Sequence, residues 1–169
     1  GEEDDQIFDF VAANIRIPEK TLEDFRAQAA TTFVGVRRVK ALVQKYGLDV
    51  FRECTRMLKR YSEGIVRRFI SDLPDGTYSG SDYLDDDGQV EAPVRVQVNV
   101  HIQGDQMHVD FDGSSPQTKG NVNCPWACSQ GGVFYTMVGI IDPHMPLNAG
   151  TFNPIKVSSR EGLLTNPLP

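Results

Sequence analysis

Apolar residues recur every three or four positions between residues 19 and 46, which places them on one face of a helix. Pro18 stands at the start of this stretch and Gly47 follows it, as is typical of a helix's first turn and of the residue after its end. The same spacing continues from residue 48 to residue 72. We therefore predict two long amphipathic helices with a very short connection, folded as an antiparallel helical hairpin.

The pattern changes after Leu73–Gly76, a run whose Pro and Gly favour a turn. Apolar and polar residues then alternate strictly from Val94 to Ile102, which predicts a strand with one buried face. Thr77–Leu84 and Met107–Phe111 are predicted strands on either side of it, and Gly104–Asp105 favours a tight turn. This region is therefore predicted to be an antiparallel sheet.

Polar loops interrupt the rest of the chain. Residues 112–130 are rich in Gly, Ser, Asn, Pro and Gln, and loops of this length are usually functional or in contact with a partner. A helix capped by Ser129 is predicted over residues 131–141. A second polar loop, residues 142–153, leads to a short strand around residues 155–157.

These elements predict an α+β fold, in which a helical hairpin segment (residues 1–73) precedes an antiparallel, β-rich segment with long polar loops (residues 74–169). The length of 169 residues, with 40% hydrophobic and 24% charged, suits one globular domain or two small ones, with a substantial core. Gly1 stands where a complete chain has Met, so we expect an internal piece of a longer protein.

Charge is distributed unevenly. Residues 1–72 carry 13 basic and 12 acidic side chains, whereas residues 73–169 carry 4 and 11. The acidic second half disfavours binding to nucleic acid or to an anionic membrane, and no apolar run is long enough to cross a bilayer. Basic residues of the first half alternate with carboxylates, which indicates solvated helix faces or, alternatively, a surface for a protein partner.

The cysteines do not have the spacing of a zinc or redox motif. Cys124 and Cys128 are separated by three residues rather than two, and Cys54 occupies an apolar helical position. Three free thiols suit a reducing compartment.

The histidines and the acidic turn give no metal motif either. His101 and His108 fall on the polar faces of two predicted strands, where they become neighbours only in some registers, and His144 lies in a loop. The run Asp85–Asp87 lacks the alternating acidic positions of a calcium loop and is predicted to be a hairpin turn. We predict no metal site in this segment.

The loop after Phe111 has the most suggestive chemistry. Its glycines let backbone N–H groups approach a ligand, and its Ser and Asn side chains add hydrogen-bonding groups for a carboxylate, an amide or a phosphate. It lacks the phosphate-binding P-loop pattern, and Ser114 and Ser115 have no nearby base to make them nucleophiles. An ordinary surface loop is an equal alternative.

Short motifs occur in a fixed order along nearly the whole chain. They are Asn14–Pro18, Asp24–Ala30, Gly35–Arg38, Tyr46–Gly47, Tyr61–Glu63, Leu73–Tyr78, Asp85–Gly88, Val109–Gln117, Pro146–Gly150, Glu161–Gly162 and Asn166–Pro167. In this order the series resembles the hydantoinase B/oxoprolinase family. That family includes B-type subunits of ATP-dependent N-methylhydantoinases, the C-terminal part of 5-oxoprolinases, and subunits of acetone and acetophenone carboxylases.

The resemblance implies a cytoplasmic, multi-subunit, ATP-dependent enzyme. An A-type subunit, similar to acetate and sugar kinases, phosphorylates a cyclic amide or an enol, and the B-type partner supports ring opening or carboxylation. The parent complex is then expected to use ATP with Mg²⁺ and a divalent metal. The family's His/Asp metal ligands lie near a Gly-Gly-Thr-His stretch that this sequence lacks, so no cofactor is expected in this segment.

The resemblance assigns no catalytic residue here. The residues expected to line a substrate site or an interface are Asp112, Ser114, Ser115, Gln117, Asn121, Asn123 and Asn148. The implied function is ATP-dependent hydrolysis of hydantoin, 5-oxoproline or a similar lactam, together with the A-type subunit, while the isolated segment is expected to be inactive. Ketone carboxylation and a non-catalytic assembly module are the alternatives.

Overall fold

A computed structural model of the chain describes residues 4–169, so Gly1 lies outside the described range. The elements are α1 (Asp5–Asn14), α2 (Pro18–Tyr46), α3 (Leu48–Ser71), β1 (Gly76–Leu84), β2 (Val94–Gln103), β3 (Gln106–Asp110), α4 (Trp126–Ile141), α5 (Ala149–Phe152) and β4 (Ile155–Ser158). They confirm the α+β class. The chain divides into two compact units, Gly1–Cys54 and Thr55–Pro169; the predicted segments 1–73 and 74–169 follow instead the change from helices to strands and stay a prediction.

The N-terminal unit contains α1, α2 and the first residues of α3. Pro18 lies in the first turn of α2, and Gly47 ends this helix with a φ of 84° while donating its N–H to the carbonyl of Val43. The guanidinium of Arg26 lies 5.0 Å from the ring centroid of Phe8, which joins α2 to α1. The structure describes no buried residue within α2. Both long helices and their short connection are confirmed, whereas their packing as a hairpin stays a prediction.

The second unit is built on a four-stranded sheet in the order β1-β2-β3-β4. The first three strands are antiparallel, and His101 of β2 lies between Thr77 of β1 and His108 of β3. β4 runs parallel to β3, with Lys156 beside His108. The predicted antiparallel pairing is confirmed for β1, β2 and β3, whereas β4 departs from it, because the chain passes from β3 to β4 through α4 and a helical crossover returns it in the same direction.

The core forms on the apolar face of this sheet. Alternation along β2 puts its apolar side chains on one face and its polar side chains on the other. Ile102 of β2 and Val109 of β3 pack against Val66 and Ile70 of α3, both fully buried, and Met137 of α4 joins them. The last residues of α3 are thus held by the sheet.

The helix α4 begins five residues before the predicted start at residue 131 and ends at Ile141, as predicted. Ser129 is not its N-cap, because it lies inside the helix and its Oγ donates to the carbonyl of Thr165 at 2.7 Å. The helix follows Pro125, whose φ of −54° suits a helix start. The prediction from Ser129 had therefore placed the first turn too late.

The segment around α5 lies directly against α3. Ser62 of α3 is fully buried and donates its Oγ to the carbonyl of Pro146 at 2.7 Å. A Cβ added to Gly150 would lie 2.0 Å from the carbonyl oxygen of Lys59. Only glycine fits at this position.

The acidic turn after β1 holds the long polar loop. Asp87 Oδ1 accepts from the N–H groups of Val90 and Gln89 at 2.7 and 2.9 Å, and its Oδ2 accepts from Gly120 at 3.1 Å. The bonds from Val90 and Gln89 lower the pKa of Asp87 below its usual 3.8, against the opposing effect of burial. This carboxylate therefore holds the protein's own backbone.

We expect Gly150→Ala to lower the free energy of unfolding by about 1–3 kcal/mol or more, because the new methyl group overlaps the Lys59 carbonyl and forces α5 away from α3. Gly64→Ala is the matched control: a Cβ there meets nothing within 4 Å, and the change is expected to gain about 1 kcal/mol of helix stability. Urea unfolding measures both variants. Unchanged stability of Gly150→Ala would contradict the close approach.

Asp87→Asn is expected to reduce stability at neutral pH and to flatten the loss of stability in acid. Because the folded pKa lies below the unfolded value of 3.8, the carboxylate stabilises the fold above that value and loses this contribution as the pH falls through it towards the folded pKa. Thermal unfolding between neutral pH and about pH 2 measures both effects. Asp85→Asn removes the same charge from an exposed residue of the same turn, and an equal effect of both variants would refute the anchoring role.

Candidate functional site

Two of the predicted site residues, Ser114 and Ser115, act as strand partners of β2. Ser114 Oγ accepts from the N–H of Gln97 at 2.9 Å and donates to the carbonyl of the same residue at 3.1 Å. Ser115 Oγ accepts from the N–H of Arg95, and the N–H of Ser115 donates to the Arg95 carbonyl, both at 2.9 Å. Both hydroxyls are thus occupied in extending the sheet.

Gln117 and Asn123 also bind backbone groups. Gln117 Oε1 accepts from the N–H of Leu168 at 2.7 Å, and its Nε2 donates to the Leu168 carbonyl at 3.3 Å. Asn123 Oδ1 accepts from the N–H of Thr118, and its Nδ2 donates to the Thr118 carbonyl, both at 2.8 Å. These bonds close the loop on itself and join it to the C-terminal segment.

Asp112 and Asn121 are exposed. The carboxylate of Asp112 accepts from the N–H of Arg160 at 3.3 Å, and its carbonyl accepts from Asn99 Nδ2 at 3.0 Å. Asn121 lies beside Gly88, where its Oδ1 would be 3.5 Å from an added Cβ. Gln117 is the other exposed residue among the loop positions predicted to line a site, and its side-chain amide is paired with Leu168.

Asn148 belongs to a different group of residues. Its Oδ1 accepts from the N–H of Gly150 at 2.9 Å, which caps α5, and its Nδ2 donates to Ser62 Oγ at 2.7 Å. Sequence reasoning selected Asn148 for its polarity and missed Ser62, which is 86 positions away. Asn148 therefore lies beside α3 and apart from the six predicted residues of the polar loop, and the role of all seven as site lining stays a prediction.

Several backbone N–H groups of the polar loop already donate hydrogen bonds within the protein. The N–H groups of Ser115, Gln117 and Gly120 donate to the Arg95 carbonyl, the Gly162 carbonyl and the Asp87 carboxylate. An anionic ligand would have to compete with these acceptors and approach a carboxylate. The geometry therefore favours a structural loop over a phosphate cradle.

A groove of about 670 Å³ lies between α4 and the apolar face of the sheet. Val96, Val98 and Val100 line it from β2, and Gly132 and Ile140 line it from α4. No charged side chain lines it in the described part of the chain. Sequence reasoning missed the groove, although a helix without charge was a usable signal.

The polar groups of this groove are mostly paired within the protein. Thr136 Oγ1 donates to the carbonyl of Gly132 at 2.9 Å, and Ser129 Oγ donates to that of Thr165. The thiols of Cys124 and Cys128 also line the groove. This surface offers apolar contact and two thiols, rather than groups that polarise an amide.

Two sets of hydrogen bonds lie on the polar face of the sheet, and the rings of His101 and His108 face each other between them. Ser158 Oγ donates to Asp110 Oδ1 at 2.8 Å, so it accepts from Nε2 of His108 at 2.7 Å. His101 faces His108 with ring centroids 5.8 Å apart, and its Nδ1 pairs with Thr77 Oγ1 at 2.9 Å. Since the Ser158 proton points to Asp110, His108 does not activate this serine, and the set is not a Ser-His-Asp triad.

The metal implied for the parent complex does not fit these side chains. Within residues 4–169, no group of three or more His, Cys, Asp or Glu side chains could hold a metal ion. The pair of His101 and His108 lacks a third ligand, and Lys156, in register beside His108, adds a positive charge.

None of the described helices is both long and apolar enough to cross a membrane.

Ion pairs in the second unit support α3. Arg67 binds Glu63 at 2.6 Å and Asp105 at 3.0 Å. Hydrogen bonds from Asn153 and then from Arg67 lower the pKa of Glu63 below its usual 4.5. These side chains are partly exposed, so the pairs contribute little to stability.

Known proteins have sequences similar to that of this chain. A family model described as hydantoinase B/oxoprolinase matches residues 1–169. The provisionally named B-type component of a D-/L-hydantoinase from Pseudomonas sp. (strain NS671) is 32% identical over 96% of this chain and 29% of its own length.

Two solved structures have the same fold. The crystal structure of ATP-dependent caprolactamase from Pseudomonas jessenii matches 99% of this chain and 29% of its own, with 28% identity and a TM-score of 0.84. A nucleotide-free acetone carboxylase matches 98% of this chain and 24% of its own, with a TM-score of 0.82, and at 16% identity it supports the fold alone. The chain spans less than a third of the length of each of these proteins. Because the family model covers every residue, the chain belongs to the hydantoinase B/oxoprolinase family.

Proposed function

We propose that this chain is part of a B-type subunit that opens a cyclic amide at the expense of ATP. The observation that carries the proposal is the similarity to ATP-dependent caprolactamase along 99% of the chain, at 28% identity and a TM-score of 0.84. Similarity to the B-type component of a hydantoinase supports the same substrate class, since hydantoins and lactams both contain a ring amide. Hydantoin, 5-oxoproline and caprolactam are therefore the first substrates to test.

The partner in this proposal is an A-type ATPase subunit or domain. Relatives of this chain are named as the B-type component of a hydantoinase and as the beta component of a caprolactamase, which supports a second subunit. Residues 4–169 contain no described group of side chains that could hold a metal ion. In this proposal, ATP with Mg²⁺ and the divalent metal would therefore be held by other parts of the complex. The free thiols of Cys54, Cys124 and Cys128 suit the cytoplasm.

Within such a protein, we assign this segment to scaffold and assembly. Ser114, Ser115, Gln117, Asn123 and Asn148 are engaged with the chain's own groups, which supports a structural role. The exposed side chains of Asp112 and Asn121 are the candidates for contact with a partner or a substrate.

Ketone carboxylation is the second candidate. It follows from the family resemblance, since the family includes subunits of acetone carboxylases, while the acetone carboxylase structure itself, with a TM-score of 0.82, supports only the shared fold. The lower identity of 16% ranks it behind cyclic amide hydrolysis.

We expect the full-length subunit and its A-type partner to hydrolyse ATP only in the presence of each other and of a cyclic amide, with release of the ring-opened acid. Coupled ADP detection and mass spectrometry of the product measure this. Acetone with labelled bicarbonate is the control for the second candidate. ATP turnover that ignores all three amides would refute the first proposal, and label incorporation would establish the second.

Ser114→Ala is expected to lower the melting temperature while kcat per folded enzyme stays near the wild-type value, because the hydroxyl braces Gln97 rather than attacking substrate. Loss of a nucleophile would instead reduce kcat by orders of magnitude at unchanged stability. Ser71→Ala, which removes an exposed hydroxyl bonded to the carbonyl of Arg67 within α3, is the control for stability. A collapse of kcat in Ser114→Ala would contradict the scaffold role.

A further inference from the structure

The composition of α4 does not match its exposure. None of its sixteen residues is charged, yet only Ser129 and Met137 are buried in the helix as the structure describes it. Tyr135 is 84% exposed and Ile140 is 60% exposed. A helix that is apolar around its whole circumference is normally covered on all sides.

The β2 residues that line the groove beside α4 are also incompletely covered. On the apolar face, Val98 of β2 lies opposite Gly80 of β1, which has no side chain to cover it. Val96 and Val100, on either side, are only half-buried. Together with Ile140 they form a continuous apolar surface, and monomers expose such surfaces mainly where something binds.

The chemistry of this surface favours a polypeptide occupant over a small molecule. Small-molecule sites combine an apolar lining with several convergent polar groups, whereas the hydroxyls of Ser129 and Thr136 in this lining donate within the protein.

The glycines of α4 also favour a polypeptide occupant. A Cβ on Gly131, Gly132 or Gly139 would meet nothing within 4 Å, and Gly132 is the one of the three that lines the groove. Glycine lowers the stability of a helix relative to alanine, and none of the described residues packs where the side chains would stand. Close packing by another backbone is the ordinary reason for glycine on a helix surface.

We propose that an apolar segment of the same polypeptide, outside these 169 residues, packs into the groove between α4 and β2. The proposal rests on the proposed function, in which the chain is part of a longer B-type subunit. Its support is that the chain spans only 29% of the hydantoinase relative and of the caprolactamase chain, so most of such a polypeptide is available to supply the segment. The uncharged lining requires an uncharged, apolar segment.

The test compares two equally exposed residues in the full-length protein. Ile140 lines the groove and Leu147 does not, and both are 60% exposed in this chain. Ile140→Cys is expected to react with a maleimide more than about tenfold more slowly than Leu147→Cys under native conditions, because the thiol is reached only when the covering segment opens. Site-resolved mass spectrometry reads the labelling, and this readout does not require activity.

A dilution series identifies the occupant. Protection of Ile140→Cys that is independent of protein concentration supports a segment of the same chain. Protection that disappears on dilution would assign the groove to a second copy, and protection that appears only with the A-type partner or with substrate would assign it to those; each would overturn the proposal. Equal labelling of both cysteines would overturn it as well.

Thermal unfolding supplies a second measurement that does not depend on labelling. Ile140→Asp is expected to lower the melting temperature of the full-length protein by several degrees, because a charge would be buried without a partner. Leu147→Asp is the control and is expected to have a small effect. A small effect of both changes would refute the covered groove, even where the enzymatic activity of the complex is fully established.

Discussion

The two-residue alternation along β2 is the constraint on which the second unit depends. It places Val94, Ile102 and their neighbours on one face and the polar side chains on the other, so one register satisfies both the core and the polar network. A slip of one residue would expose the apolar set and place Gln97 and His101 among apolar side chains. The fully buried Val66 and Ile70 of α3 pack on this face, which fixes where the helix ends relative to the sheet.

Much of the polar chemistry in this segment serves its own backbone. The hydroxyl of Ser114 makes two hydrogen bonds with the backbone of Gln97, and the carboxylate of Asp87 accepts from three N–H groups. Asn148 caps α5 and also binds the buried Ser62. Buried backbone donors and acceptors need hydrogen-bond partners. Because long irregular loops lack the backbone partners of helices and sheets, polar side chains supply these hydrogen bonds. Polar richness in a loop is therefore weak evidence for a substrate site.

Local patterns predicted the long helices and the strands, because periodicity and turn residues act over a few positions. The direction of β4 was not predictable in the same way, since it depends on the crossover through α4. The role of Ser129 was missed because its partner, Thr165, is 36 positions away. In the candidate site the polar residues were found from the sequence, while the partners that occupy them, and the groove formed by two separate elements, required the fold.

β1 lies at the edge of the described sheet, and all nine of its residues are exposed. Natural edge strands are usually protected by lysine, proline or a bulge, yet β1 has neither lysine nor proline and carries Asp82 as its one charged side chain. Its outward backbone groups form a ready template for another strand. A polypeptide that displays this edge without a neighbouring strand is therefore open to strand-to-strand association with other chains.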